Sequence, residues 1–250
     1  MKGAKNARTG SFLLFLAVVA ATGCSQRPYA GLVKTSPESE QGEDMTVADD
    51  GTVTYNRGRL EVRLRPLSDE ELNRQFAAYS TGGVRAANPY TFADRTNFYT
   101  GAEESRFTVF KLSVKNYEFP KVRVGGSVLL ESDSGRKYYA LDPQQLDIYY
   151  RSYALGYRGN EYNLWRERRS ILQQTMFPPD DIFSGQEVEG FILFKPLAED
   201  VGDMTLSIED IVIRFDFRGD PLESIDVGYR FSRDLGHIYP DGRIELNRGT

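Results

Sequence analysis

Cysteine occurs once and histidine once in the 250 residues, and no apolar run is long enough to cross a membrane as a helix. Each shortage removes a class of function. His237 lies in Gly236-His237-Ile238-Tyr239, which alternates into Pro240-Asp241-Gly242 and reads as a terminal hairpin. A lone histidine on an exposed strand supplies no base for a Ser–His–Asp triad, and a His-rich zinc site needs more than one. No Gly-x-Gly-x-x-Gly and no Walker-type loop occurs, so phosphate-cradling backbone is missing too. Positive charge is also short, with 31 Lys and Arg against 36 Asp and Glu. Phosphate backbones demand a basic surface, which argues against nucleic acid as a partner.

The apolar residues that are grouped lie near the N-terminus. Lys2, Lys5 and Arg8 precede Phe12-Leu13-Leu14-Phe15-Leu16-Ala17-Val18-Val19-Ala20-Ala21. A charged stretch before a run of about ten apolar residues is the secretory pattern, because a spanning helix needs about twenty. Ala21-Thr22-Gly23-Cys24 follows and resembles the lipobox of bacterial lipoproteins, with Ala21 where Leu is usual. The resemblance implies cleavage before Cys24 and acylation of its thiol, which leaves no Cys nucleophile and no disulfide. Ser25, where Asp would favour retention in the inner membrane, implies delivery to the outer membrane with the domain in the periplasm. Losing three cations and no acid takes the net charge from −5 to −8.

Residues 24–50 are expected to be the lipidated Cys and a disordered tether. Ser36-Pro37-Glu38-Ser39-Glu40-Gln41-Gly42-Glu43-Asp44 has too little apolar surface to offset its ordering entropy. Residues 51–105 read as a strand–helix–loop lead-in. Leu60-Glu61-Val62-Arg63-Leu64 alternates as a half-buried strand, and Ser68 with Glu71 opens a helix carrying Leu72, Phe76 and Tyr79. Residues 106–230 hold the main run of strands. Phe107–Asn116, 122–124, 127–131, 137–141, 186–194, 204–208 and 211–217 are short, β-branched and separated by turn residues. Residues 162–172 fit a helix, stopped by Pro178-Pro179. Residues 231–250 form the C-terminal hairpin or tail. The expected fold is mainly β: an antiparallel sandwich with one or two short helices.

Three pieces of this region are similar to immunoglobulin-like domains of bacterial envelope lipoproteins. They are the strand Phe110–Asn116 ending in Asn, the strand and turn Leu129–Tyr138, and the glycine-bounded strand Gly185–Phe194. The resemblance implies an immunoglobulin-like sandwich and no particular activity.

Candidate chemistry is sparse. Asp180-Asp181 and the pair Glu187 and Glu189 are the nearest approach to a carboxylate dyad, but turn and strand positions explain them. Glu131-Ser132-Asp133-Ser134-Gly135 offers oxygens without the distal Glu of a calcium loop, so no metal is assigned. Arg218-Gly219-Asp220 spells an adhesion tripeptide at what reads as a strand-ending turn. The densest cluster of interface-type residues runs from Tyr149 to Arg166, and Arg151, Tyr153, Tyr157 and Arg158 are its candidate binding surface. Within that cluster Tyr150 and Trp165 read as structural. The expectation is a non-catalytic lipoprotein without a cofactor, held on the membrane through Cys24 and contacting an envelope protein. The alternative is a glycan-binding module that stacks sugars on the aromatics of 149–166.

Overall fold

Alternating apolar and polar side chains in several short segments can bury one face of each only by pairing the segments into sheets. In the computed structural model, residues 26–80, 87–92, 107–156 and 162–247 are described. The elements of the first half are β1 (Arg27–Ala30), β2 (Lys34–Thr35), β3 (Met45–Val47), β4 (Val53–Arg57), β5 (Leu60–Pro66), α1 (Asp69–Gln75), β6 (Ala87–Asn88), β7 (Thr91–Phe92), β8 (Thr108–Asn116) and β9 (Lys121–Val124). Those of the second half are β10 (Val128–Ser132), β11 (Lys137–Tyr139), α2 (Pro143–Gly156), α3 (Tyr162–Thr175), β12 (Asp181–Phe183), β13 (Gln186–Phe194), β14 (Met204–Phe215), β15 (Pro221–Ser232), β16 (Leu235–Ile238) and β17 (Ile244–Leu246).

Two antiparallel sheets face each other. One has the order β13-β8-β5-β4-β3, and the other β11-β10-β14-β15-β2, with β9 and β12 continuing beside the second half of β14. Val62, Leu64, Phe110, Leu112 and Val114 of the first sheet meet Leu206, Ile208, Ile211, Tyr229 and Phe231 of the second in one core. The alternation in β8 has the sense read from the sequence: Phe110, Leu112 and Val114 are 0% exposed, while Lys111 and Lys115 are half-buried. Ser113, expected outside with them, is 7% exposed. Its hydroxyl donates to Glu187 at 3.3 Å.

The outer face of β8 and β13 is covered as well. Val109, Phe191 and Leu193 point into a second core with Leu72, Tyr90, Phe107, Leu146, Tyr150, Trp165 and Leu172. The helices α2 and α3 close this layer and are joined by an Arg169 Nε to Asp147 Oδ1 contact of 2.7 Å.

Four sequence expectations need correction. First, the supposed tether is folded from Arg27 onward, because its polar groups are spent on backbone. Gln41 Nε2 donates to the carbonyl of Arg230 at 2.9 Å while Arg230 N–H donates to Gln41 Oε1 at 3.0 Å, in the manner of a paired strand. Glu38 likewise accepts from Val47 N–H at 2.8 Å. Val33, Met45 and Val47 supply the apolar contacts with the main core. Second, β4 and β5 are no lead-in: β5 pairs with β8 from Leu60↔Asn116 to Pro66↔Phe110, inside the five-stranded sheet. Third, among the described residues three α-helices stand where one or two were expected, the added one being 143–156. Asp142 caps it in a reciprocal pair, with Gln145 N–H donating to Asp142 Oδ1 at 2.7 Å and Asp142 N–H to Gln145 Oε1 at 3.3 Å. Fourth, 204–208 and 211–217 form one strand to Phe215, bent by a bulge at which Asp210 takes φ 52°. The helix at Ser68 has its capping box in place and ends at Gln75.

Candidate functional site

Of the residues singled out for binding, Cys24, Tyr157 and Arg158 lie outside the described residues. Arg151 is exposed on α2, and Tyr153 lies on the same helix, its side chain outside the description. The neighbouring rings are committed elsewhere. Tyr150 is 2% exposed and Trp165 5%, both in the second core. Tyr149 packs on Phe107 at 5.7 Å between ring centroids, with Lys195 Nζ 5.3 Å from its own ring centre. Tyr150 and Trp165 are therefore not free to stack on a sugar. Glu187 meets Arg63 at 3.3 Å and Glu189 meets Lys111 at 2.8 Å, both across strands. His237 sits on β16, partly exposed.

The structure instead builds a groove at the end of the sheets where the β14–β15 hairpin turns. It encloses about 610 Å³. Three segments far apart in sequence meet there: Phe119-Pro120-Lys121 after β8, Phe183 at the end of β12, and Ile213 to Asp216 at the end of β14. Registers bring them together, since Arg123 lies opposite both Asp181 and Val212. Ile213 is buried, whereas Phe183 is 53% exposed and Phe217, beside the groove, 90%.

Charge is arranged around the Phe215 ring. Lys121 Nζ lies 4.0 Å from its centroid and Arg123 Cζ 5.2 Å. Both cations also donate to Asp181, Lys121 at 2.9 Å and Arg123 Nε at 2.5 Å. The Arg123 hydrogen bond, with that of Lys121 behind it, holds the Asp181 carboxyl below its ordinary value of 3.8. A depressed carboxyl contributes stability above its unfolded pKa, and loses it as pH falls through the folded one. Accordingly, thermal melts of the wild type and Asp181→Asn should differ most at neutral pH and converge below about pH 4. A constant difference down to pH 2 would contradict this ion-pair assignment.

The tripeptide noted in the sequence caps the hairpin. Asp216 Oδ1 accepts from the N–H groups of Arg218 and Asp220, both at 2.8 Å, and Gly219 takes φ 88° where an L side chain is strained. The Arg218 guanidinium lies over the Phe217 ring at 5.1 Å. The turn thereby holds Phe217 and Arg218 out beyond the groove. Among the described residues there is no group of three His, Cys, Asp or Glu side chains that could hold a metal, and no helix long and apolar enough to cross a membrane.

Comparison with protein-family models, with curated proteins and with solved structures gives no match to this chain.

Proposed function

We propose that the chain is a lipid-anchored lipoprotein of the cell envelope, resident in the outer membrane, and that its immunoglobulin-like sandwich binds an envelope protein at the hairpin-end groove. The observation that carries the reading is the combination of an open apolar groove with large rings left in solvent around it. Phe217 at 90% exposed, Leu222 at 63% and Phe183 at 53% share one end of the fold. Leaving such surface in water is unfavourable by roughly 25 cal/mol per Å², and clustered apolar patches mark sites of contact. The lining cations already have acids beside them, Lys121 with Asp181 at 2.9 Å and Arg214 with Glu223 at 3.4 Å, so the groove offers a partner chiefly its apolar rings.

Position supports the same reading. β1, three residues after Cys24, pairs with β16, which leaves the Ser232 end of β15. The groove is at the Phe215–Pro221 end of that hairpin. A twelve-residue strand spans about 35 Å, so the groove is held away from the lipid.

Phe183→Ala with Phe217→Ala should leave the melting temperature within the range of exposed substitutions, about 0.5 kcal/mol each. The same double variant should lose the protein that cross-links to the wild type in detergent-solubilised envelopes. Retention of every cross-linked protein at wild-type yield would end the groove reading. An unlabelled precursor in Cys24→Ala and a palmitate-labelled wild type are the expected signs of the anchor.

A further inference from the structure

The small sheet β1-β16-β17 has two unlike faces. Ala30 pairs with Leu235, and Pro28, His237 and Glu245 form the next row on the same side. At the Ala30–Leu235 row that side meets the body of the protein, Leu235 Cδ1 lying so close to Gly202 that an added Cβ would stand 3.2 Å from it, while Pro28 and Glu245 further out are exposed. The other face carries the rows Arg27–Ile238–Ile244 and Tyr29–Gly236–Leu246. Ile244 is 45% exposed and Leu246 48%, and Leu32, just past β1, is 62% exposed. None of these side chains belongs to either core.

We propose that this apolar face of the β1-β16-β17 sheet rests on the surface of the lipid bilayer. The inference rests on acylation of Cys24, and the chain between the two decides the occupant. Cys24 is three positions before Arg27, and three residues reach at most about 11 Å. A lipid on Cys24 therefore keeps the sheet against the headgroups, with no room for a partner protein between them. The residue types suit that boundary: Tyr29 and Arg27 place polar tips among the headgroups while Ile244 and Leu246 enter the acyl edge. Anchor and face together fix the orientation of the domain, and the groove then points away from its own membrane.

Because Cys24 is the only cysteine, an added one gives a single free thiol in the acylated protein. Ile244→Cys and Phe217→Cys, each carrying a polarity-sensitive fluorophore, are to be reconstituted full length into vesicles of three parts phosphatidylethanolamine to one part phosphatidylglycerol. A nitroxide-bearing lipid is added as quencher. The label at 244 should be quenched at least threefold more than the label at 217, with its emission shifted to the blue. Mass spectrometry of the same protein reports the acyl chains on Cys24. An acylated protein with equal quenching at both positions overturns the seating of this face and leaves the lipoprotein reading intact. A chain without acyl groups overturns both.

Discussion

Leu112→Ala is expected to destabilise the protein by about 2–5 kcal/mol, the range for truncating a buried leucine. Leu112 is 0% exposed and central in β8, between Leu64 of β5 and Gly190 of β13. The site has little capacity to collapse. Gly190 is fixed by the crossing chain, since a Cβ there would stand 2.4 Å from Phe177 Cα and 2.5 Å from Phe177 N. Phe177 N–H in turn donates to the Phe191 carbonyl at 3.0 Å, locking that crossing in place. The cavity left by Leu112 therefore stays open, which places the expected loss in the upper part of the range. Lys111→Ala is the control. Lys111 is half-buried, points to the other face and pairs with Glu189 at 2.8 Å, an exposed partner. Such pairs contribute little, so the loss should stay below about 1 kcal/mol. Urea melts of the two variants decide the matter. Equal losses would refute the face assignment of β8.

The strands that carry the core were legible because alternation sorts the apolar side chains of the main core from the polar ones on the opposite face. β5 and β8 show it in Leu60-Glu61-Val62-Arg63-Leu64 and Phe110-Lys111-Leu112-Ser113-Val114. The stretch 27–47 was not legible by the same rule. Its strands are short edge strands, and side chains such as Gln41 and Glu38 do work that composition assigns to solvent. For α2 the signal was present: Asp142-Pro143-Gln144-Gln145 is a cap, a proline at the first turn and a reciprocal Gln. Tyr150 on this helix faces the core. The groove was hidden for another reason. Phe119, Phe183 and Phe215 are separated by about sixty and thirty residues, and only the registers of β9 with β12 and β14 bring them together. Each alone reads as a strand end.

Asn116 joins fold and groove, and its removal should be felt in both. It ends β8, is 0% exposed, and lies in register with Leu60 on one side and Gln186 on the other. Its Nδ2 donates to the carbonyls of Phe119 and Ile182, each at 2.9 Å. Its Oδ1 accepts from Phe119 N–H at 2.9 Å and Glu118 N–H at 3.3 Å. One side chain thus fixes the loop bearing Phe119 and the strand that ends in Phe183, two of the three segments that line the groove. Asn116→Ala leaves backbone groups in the interior without their partners, at about 1–3 kcal/mol for each that water cannot reach. The expected loss is about 3 kcal/mol in all, one or two groups being rescued by water. Asn116→Asp keeps the acceptor but turns a carboxylate toward two carbonyls, so it should do no better. Both variants should also lose the cross-linked partner at temperatures where they remain folded, because Phe119 and Phe183 no longer hold their spacing. Phe217→Ala, by contrast, weakens the cross-link without moving the melt. An Asn116→Ala protein that melts and cross-links like the wild type would show that the loop holds its shape without this side chain.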